Sequence, residues 1–99
     1  MAKIRKVEYI HDGKVFKVQY MYYCVGCLEE HAFGIKAENT GGHHSFNMDL
    51  DNPTVSPSLL QNFTPGKTCH SFIRNGKIQY LGDCWHWKKG KTITLPDIY

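Results

Sequence analysis

"CHSFIRNGKIQYLGDCWHW", residues 69–87, decides the fold. Asn75-Gly76 at its centre is a strong hairpin signal, because both central residues of a type I′ turn need positive φ. With those two residues as the turn, Arg74 faces Lys77, Ile73 faces Ile78, Ser71 faces Tyr80 and Cys69 faces Gly82. Side chains alternate along each strand. Cys69, Ser71, Ile73, Ile78, Tyr80 and Cys84 therefore share one face, and His70, Phe72, Leu81, Asp83, Trp85 and Trp87 take the other.

Working outward, Ile4, Val7, Tyr9 and Ile10 lead to Asp12-Gly13 and then to Val15, Phe16, Val18 and Tyr20. Asp-Gly between β-prone runs predicts another hairpin, over residues 4–23. It runs directly into Cys24-Val25-Gly26-Cys27, and a short strand from His31 to Ile35 follows. Residues 37–66 are polar and rich in Gly, Asn, Asp and Pro. They predict a long loop docked through Phe46, Leu50, Val55, Leu59, Leu60 and Phe63. An extended tail runs through Ile93 and Leu95, and no stretch carries a sustained helical period.

A chain of 99 residues is expected to form a single domain over 1–99. A domain this small buries only about 60–65% of the surface its unfolded chain exposes, so a further cross-link would help it. The N-terminus lacks an apolar run long enough for a secretory signal or a membrane span, which predicts a cytoplasmic protein. There, four cysteines read as thiolate ligands rather than as a disulfide framework.

A C-x2-C pair lets two thiolates reach one ion from a tight turn, with Gly26 placed to supply left-handed geometry. Cys69 and Cys84 become diagonal neighbours about 7–8 Å apart at Cα, from which both sulfurs can reach one zinc. The expected ligands are Cys24, Cys27, Cys69 and Cys84, with His86, His70 and His31 as alternates. Four thiolates would close the site and make it structural.

On the opposite face His70 lies diagonal to Asp83. Such a pair can be a general base, an orienter of a metal ligand, or a satisfied polar pair. No nucleophile is tied to it by sequence, so the structural readings come first. Thr54, Ser56 and Ser58 read as groups that satisfy nearby backbone, since a nucleophilic serine here lacks the glycine pattern of an elbow. Trp85 and Trp87 read as core anchors.

The ordered combination of "CVGC" and His31, "HSFNMDLDNPTVSPSLL" at 44–60, "CHSFIRNGKIQYLGDCWH" at 69–86, Gly90-Lys91-Thr92 and Leu95-Pro96-Asp97 resembles the phage and bacterial family catalogued as domain of unknown function 6527. The resemblance covers most of the chain from Cys24 onward. It implies a small metal-binding protein with no established activity, some members of the family lying near ubiquitin-like conjugation genes.

The sequence thus predicts a mainly β, zinc-ribbon-like domain of two hairpins, about 4–23 and 68–86, joined through a zinc knuckle and a long docked loop. The expected function is that of a phage-encoded zinc module rather than an enzyme. It would act in the host cytoplasm by binding a host or phage macromolecule. A protein partner comes ahead of nucleic acid, because a net charge of +3 is low for a nucleic-acid-binding domain. The alternative is a small zinc-dependent hydrolase or ligand-processing enzyme using His70, His86 and Asp83.

Overall fold

The computed structural model describes residues 2–38, 42–62 and 64–98. The chain is mainly β, with eight strands in two antiparallel sheets and no helix among the described residues. The first sheet holds β1 (Arg5–His11), β2 (Lys14–Cys24) and β3 (Glu29–Phe33) in that order. Asp12 and Gly13 have φ of 51° and 74°, the geometry that Asp-Gly predicts. β2 alternates between buried and half-buried from Val18 onward, whereas its first residues and the facing end of β1 are exposed. The hairpin tip projects past the core and leaves Ile10 and Phe16 in solvent.

The second sheet runs β4 (Ser45–Phe46), β5 (Val55–Gln61), β6 (Cys69–Arg74), β7 (Lys77–Tyr80) and β8 (Thr92–Thr94). Asn75 and Gly76 make the β6–β7 turn with φ of 50° and 77°, and the register from Arg74↔Lys77 to Ser71↔Tyr80 is the expected one. Tyr20, Tyr22 and Phe33 of the first sheet join Val55, Leu59, Ile73, Ile78 and Tyr80 of the second in one core, with Ile4 and Leu95. Phe46 links the sheets, its ring centroid 5.1 Å from Tyr20 and 5.6 Å from Phe33.

Five expectations are corrected. Residues 37–66 are not simply a loop, because β4 and β5 lie within them, with Val55 and Leu59 buried. Leu50 and Leu60 are exposed rather than anchoring, and Phe63 lies outside the described residues. The short strand starts earlier than His31, at Glu29. The second hairpin stops pairing at Tyr80, so Cys69 does not face Gly82. The Leu81 N–H still keeps the register, donating to the facing His70 carbonyl at 2.9 Å, and the chain then turns, with the Cys84 N–H on the Leu81 carbonyl and the Trp85 N–H on the Thr68 carbonyl. That turn carries Trp85 and Trp87 out of the core, where they are 44% and 65% exposed. No helix among the described residues is long and apolar enough to cross a membrane.

Candidate functional site

Alternation along β6 sends Cys69, Ser71 and Ile73 inward and leaves His70 and Phe72 half-buried on the outer face. Across the strand, β5 sets Leu59 opposite Ser71, Leu60 opposite His70 and Gln61 opposite Cys69. The register slips between Val55 and Leu59. Ser58, two residues before Leu60, comes out on the same face as His70 and diagonal to it. The Ser58 hydroxyl meets His70 Nε2 at 2.9 Å.

Asp83 approaches the same ring from the other side. The turn after β7 is held by the Leu81 N–H on the His70 carbonyl, the Cys84 N–H on the Leu81 carbonyl and the Trp85 N–H on the Thr68 carbonyl. It brings Asp83 Oδ2 to 3.1 Å from His70 Nδ1. A carboxylate only accepts, so Nδ1 carries the proton and donates to Asp83, which leaves Nε2 to accept from the Ser58 O–H. The three side chains form a directed Ser–His–Asp chain. The His70 side chain is 26% exposed and that of Asp83 57%. Behind Ser58, His44 Nε2 lies 3.1 Å from the Ser58 carbonyl oxygen and donates to it.

The pairing of His70 with Asp83 is the one the hairpin pattern predicts, but the serine is missed by that reading. Its signal lies in Val55-Ser56-Pro57-Ser58-Leu59-Leu60-Gln61, where Val55, Pro57 and Leu59 alternate with the serines as in a strand before Leu60-Gln61 breaks the pattern. Proline ordinarily argues against a central strand, and here it sits within the register slip.

The inward face carries the cysteines. β2 ends at Cys24, and the chain turns through Gly26 and Cys27 to Leu28, whose N–H donates to the Cys24 carbonyl at 2.8 Å. The left-handed residue of this knuckle is Leu28, with φ of 58°, and not Gly26. Gly26 is required for a different reason: the His86 ring lies where its Cβ would be. Gly26→Ala should therefore destabilise the protein by about 1–3 kcal/mol, as overpacking does. Urea denaturation would check this, and unchanged stability would mean that the ring is not seated there.

Cys24, Cys27, His31 and Cys69 have ligand atoms all within 4.8 Å of one another, and Cys69, Cys84 and His86 form a second such group sharing Cys69. The first group could hold a metal ion. Cys24 and Cys69 sulfurs are 3.7 Å apart, close to the roughly 3.8 Å edge of a tetrahedron with Zn–S bonds of about 2.3 Å. His31 is buried, and its Nε2 has no hydrogen-bond partner among the described residues.

His86 and Cys84 also carry hydrogen bonds of their own. The Lys88 N–H donates to His86 Nδ1 at 3.2 Å, which places the ring proton on Nε2, pointing at Cys69 Sγ 3.4 Å away. Cys84 brackets the His70 peptide: its Sγ accepts from the His70 N–H at 3.3 Å, and its S–H donates to the His70 carbonyl at 3.1 Å.

Cys24 accepts from the Cys27 N–H and the Tyr80 O–H, both at 3.3 Å. The hydrogen bond from Cys69, with these, holds the Cys24 thiol well below its ordinary range. Cys69 is pushed the other way, first by that same hydrogen bond and then by burial. Burial also raises Cys27, whose sulfur receives the Trp85 indole N–H at 3.4 Å. One thiolate is therefore already favoured in the cluster, and a cation would favour the rest.

A family model described as "Bacterial ubiquitination-like system serine protease (BubE)" matches residues 3–81. No curated protein and no solved structure matches. The match covers Ser58 and His70 and most of the chain. It corrects the resemblance drawn from the sequence, since the family is one of named serine proteases rather than one of unknown function. It equally corrects the expectation of a phage-encoded zinc module acting only by binding, because that expectation assumed no nucleophile beside His70. The chain belongs to the family of bacterial ubiquitination-like system serine proteases.

Proposed function

We propose that this chain is a serine hydrolase that cleaves an acyl bond, peptide or ester, in a protein of a bacterial ubiquitination-like system. The observation that carries the reading is the Ser58–His70–Asp83 hydrogen-bonded chain, with distances of 2.9 and 3.1 Å. Ser58 Oγ forms a bond to the substrate carbonyl carbon while its proton passes to His70 Nε2. As the carbonyl re-forms, the scissile bond breaks and His70 gives that proton to the leaving amine or alkoxide. Water then attacks the acyl-Ser58 ester, loses a proton to His70, and releases the acid as the proton returns to Ser58 Oγ. Asp83 keeps the ring in the competent tautomer and stabilises the imidazolium formed in each half.

The hydrolase alternative drawn from the sequence is thus the nearer one, with His70 and Asp83 in the roles of base and orienter. Ser58 supplies the nucleophile in place of the zinc on which that alternative depends, and His86, turned toward Cys69, stands outside the reaction.

The metal reading is kept as a structural one. Cys24, Cys27, His31 and Cys69 make a C-x2-C-x3-H set completed from β6, and Cys84 serves the His70 peptide in place of a ligand role. Thiolate and imidazole donors in this number suit zinc. Bound there, zinc would supply a cross-link between the two sheets, directly behind His70.

Hydrolysis of p-nitrophenyl acetate tests the enzymatic reading. Wild type should release a burst of p-nitrophenol near one equivalent, followed by slower turnover, and His70→Gln should lose both while keeping its metal content and melting temperature. Equal hydrolysis by the two proteins would sink it.

A further inference from the structure

The outer edge of β5 lies beside the proposed nucleophile, and β4 covers only part of it. Both backbone groups of His70 point away from β5: the carbonyl accepts from Leu81 and the N–H donates to Cys84 Sγ. Bonded and non-bonded pairs alternate along an antiparallel ladder. Leu60↔His70 is therefore a non-bonded pair flanked by bonded Leu59↔Ser71 and Gln61↔Cys69. It follows that the Leu60 N–H and C=O point outward, toward the side where β4 lies.

β4 does not reach them, because its pairing with β5 ends at Ser45↔Ser56. The Ser58 carbonyl on the same edge is taken by His44. Among the described residues no backbone bond from a loop or turn closes on Leu60. Leu60 is 52% exposed. Natural edges of this kind are usually guarded by charge or covered, yet residues 55–62 contain no charged side chain.

We propose that Leu60 is the docking point for the substrate's main chain, an extended polypeptide segment that adds to β5 as an antiparallel strand and presents its scissile carbonyl to Ser58. The inference rests on the serine hydrolase reading. An antiparallel partner exchanges both hydrogen bonds with one residue. The substrate residue that does so with Leu60 stands two places before the residue opposite Ser58, because the strands run in opposite directions and Ser58 lies two residues before Leu60. The recognised chemistry is thus the backbone of at least three extended residues on the acyl side of the cleaved bond. A helical or compact segment cannot enter, and affinity comes from main-chain bonds rather than from a particular side chain.

The test uses the full chain and acetyl-Ala-Ala diphenyl phosphonates ending in the phosphonate analogue of alanine. In these, Ser58 displaces phenol from phosphorus. One probe is N-methylated on the residue two places before the phosphonate residue, and a second on the residue one place before it. The first loses a hydrogen bond to Leu60 and should label about tenfold more slowly or worse than the parent, while the second, whose N–H points away from β5, should stay within about twofold. Equal rates for both methylated probes, or the larger loss in the second, would overturn the proposal, as would a parent no faster than acetyl-alanine diphenyl phosphonate. A simple alkyl fluorophosphonate separates the two readings. Labelling of Ser58 by it alongside the wrong peptide pattern defeats only the docking proposal, and no labelling defeats the hydrolase reading as well.

Discussion

Ser58→Ala is expected to lower kcat by about 10⁴–10⁶ on any ester or peptide the wild-type protein cleaves, the range seen when a triad nucleophile is removed. The change deletes one half-buried hydroxyl on the outer face of β5, away from the core residues Val55 and Leu59. Folding should therefore be little affected, and thermal melting should stay within about 2–4 °C of wild type, as for a loss below about 0.5 kcal/mol. His70→Gln should cost a similar factor. Asp83→Asn should cost less, because the 57% exposed carboxylate acts through solvent-screened electrostatics. Steady-state kinetics on purified variants check the series. Loss of activity in Ser58→Ala only in proportion to loss of folded protein would remove the catalytic assignment.

Stripping the metal is expected to have the largest effect on stability. If Cys24, Cys27, His31 and Cys69 hold zinc, its binding contributes on the order of 10 kcal/mol to folding, comparable with the whole stability of a small domain. The ligands come from both sheets: Cys24 ends β2, His31 lies in β3 and Cys69 begins β6. A strong chelator should therefore collapse the near-ultraviolet circular dichroism and release about one zinc per chain. Cys24→Ser or Cys69→Ser should do the same without chelator. Affinity should fall on acidification, because bound ligands must be deprotonated and protons compete for the thiolates. Hydrolysis should be lost together with the metal, because Cys69 immediately precedes His70, and Cys84, the next residue after Asp83, brackets the His70 peptide. Unchanged spectra after complete chelation, verified by elemental analysis, would contradict the structural-metal account.

Both hairpins could be read from the sequence because Asp12-Gly13 and Asn75-Gly76 state their turn type locally and the flanking residues alternate. The inward face of the second hairpin followed from the same rule, which is why Cys69, Ser71, Ile73, Ile78 and Tyr80 are all buried. The nearness of His70 to Asp83 was also legible, because the Leu81 N–H extends the hairpin register to His70 before the turn bond at Cys84 brings Asp83 round. β5 was hidden because Pro57 looks like a strand breaker, and with β5 went the position of Ser58. The proposed nucleophile, held on a strand beside a register slip, has no local glycine signature and becomes visible only once β5 is paired with β6. The tryptophans misled because their size suggests burial, whereas the turn after Tyr80 places them outside, Trp87 with the Lys88 ammonium 4.2 Å from its ring centroid. Gly26 was correctly singled out in the knuckle, but for backbone freedom rather than for the room it leaves His86.

The most direct measurement of the central claim is the site of covalent modification by an alkyl fluorophosphonate, read by intact mass and peptide mapping of the zinc-loaded protein. Ser58 Oγ should displace fluoride from phosphorus to give one adduct per chain, on the peptide containing Ser58, and His70→Gln should suppress it. No adduct on folded, metal-loaded protein, or an adduct of equal yield on Ser56 or Cys27, would contradict the assignment of Ser58, His70 and Asp83 as the catalytic machinery.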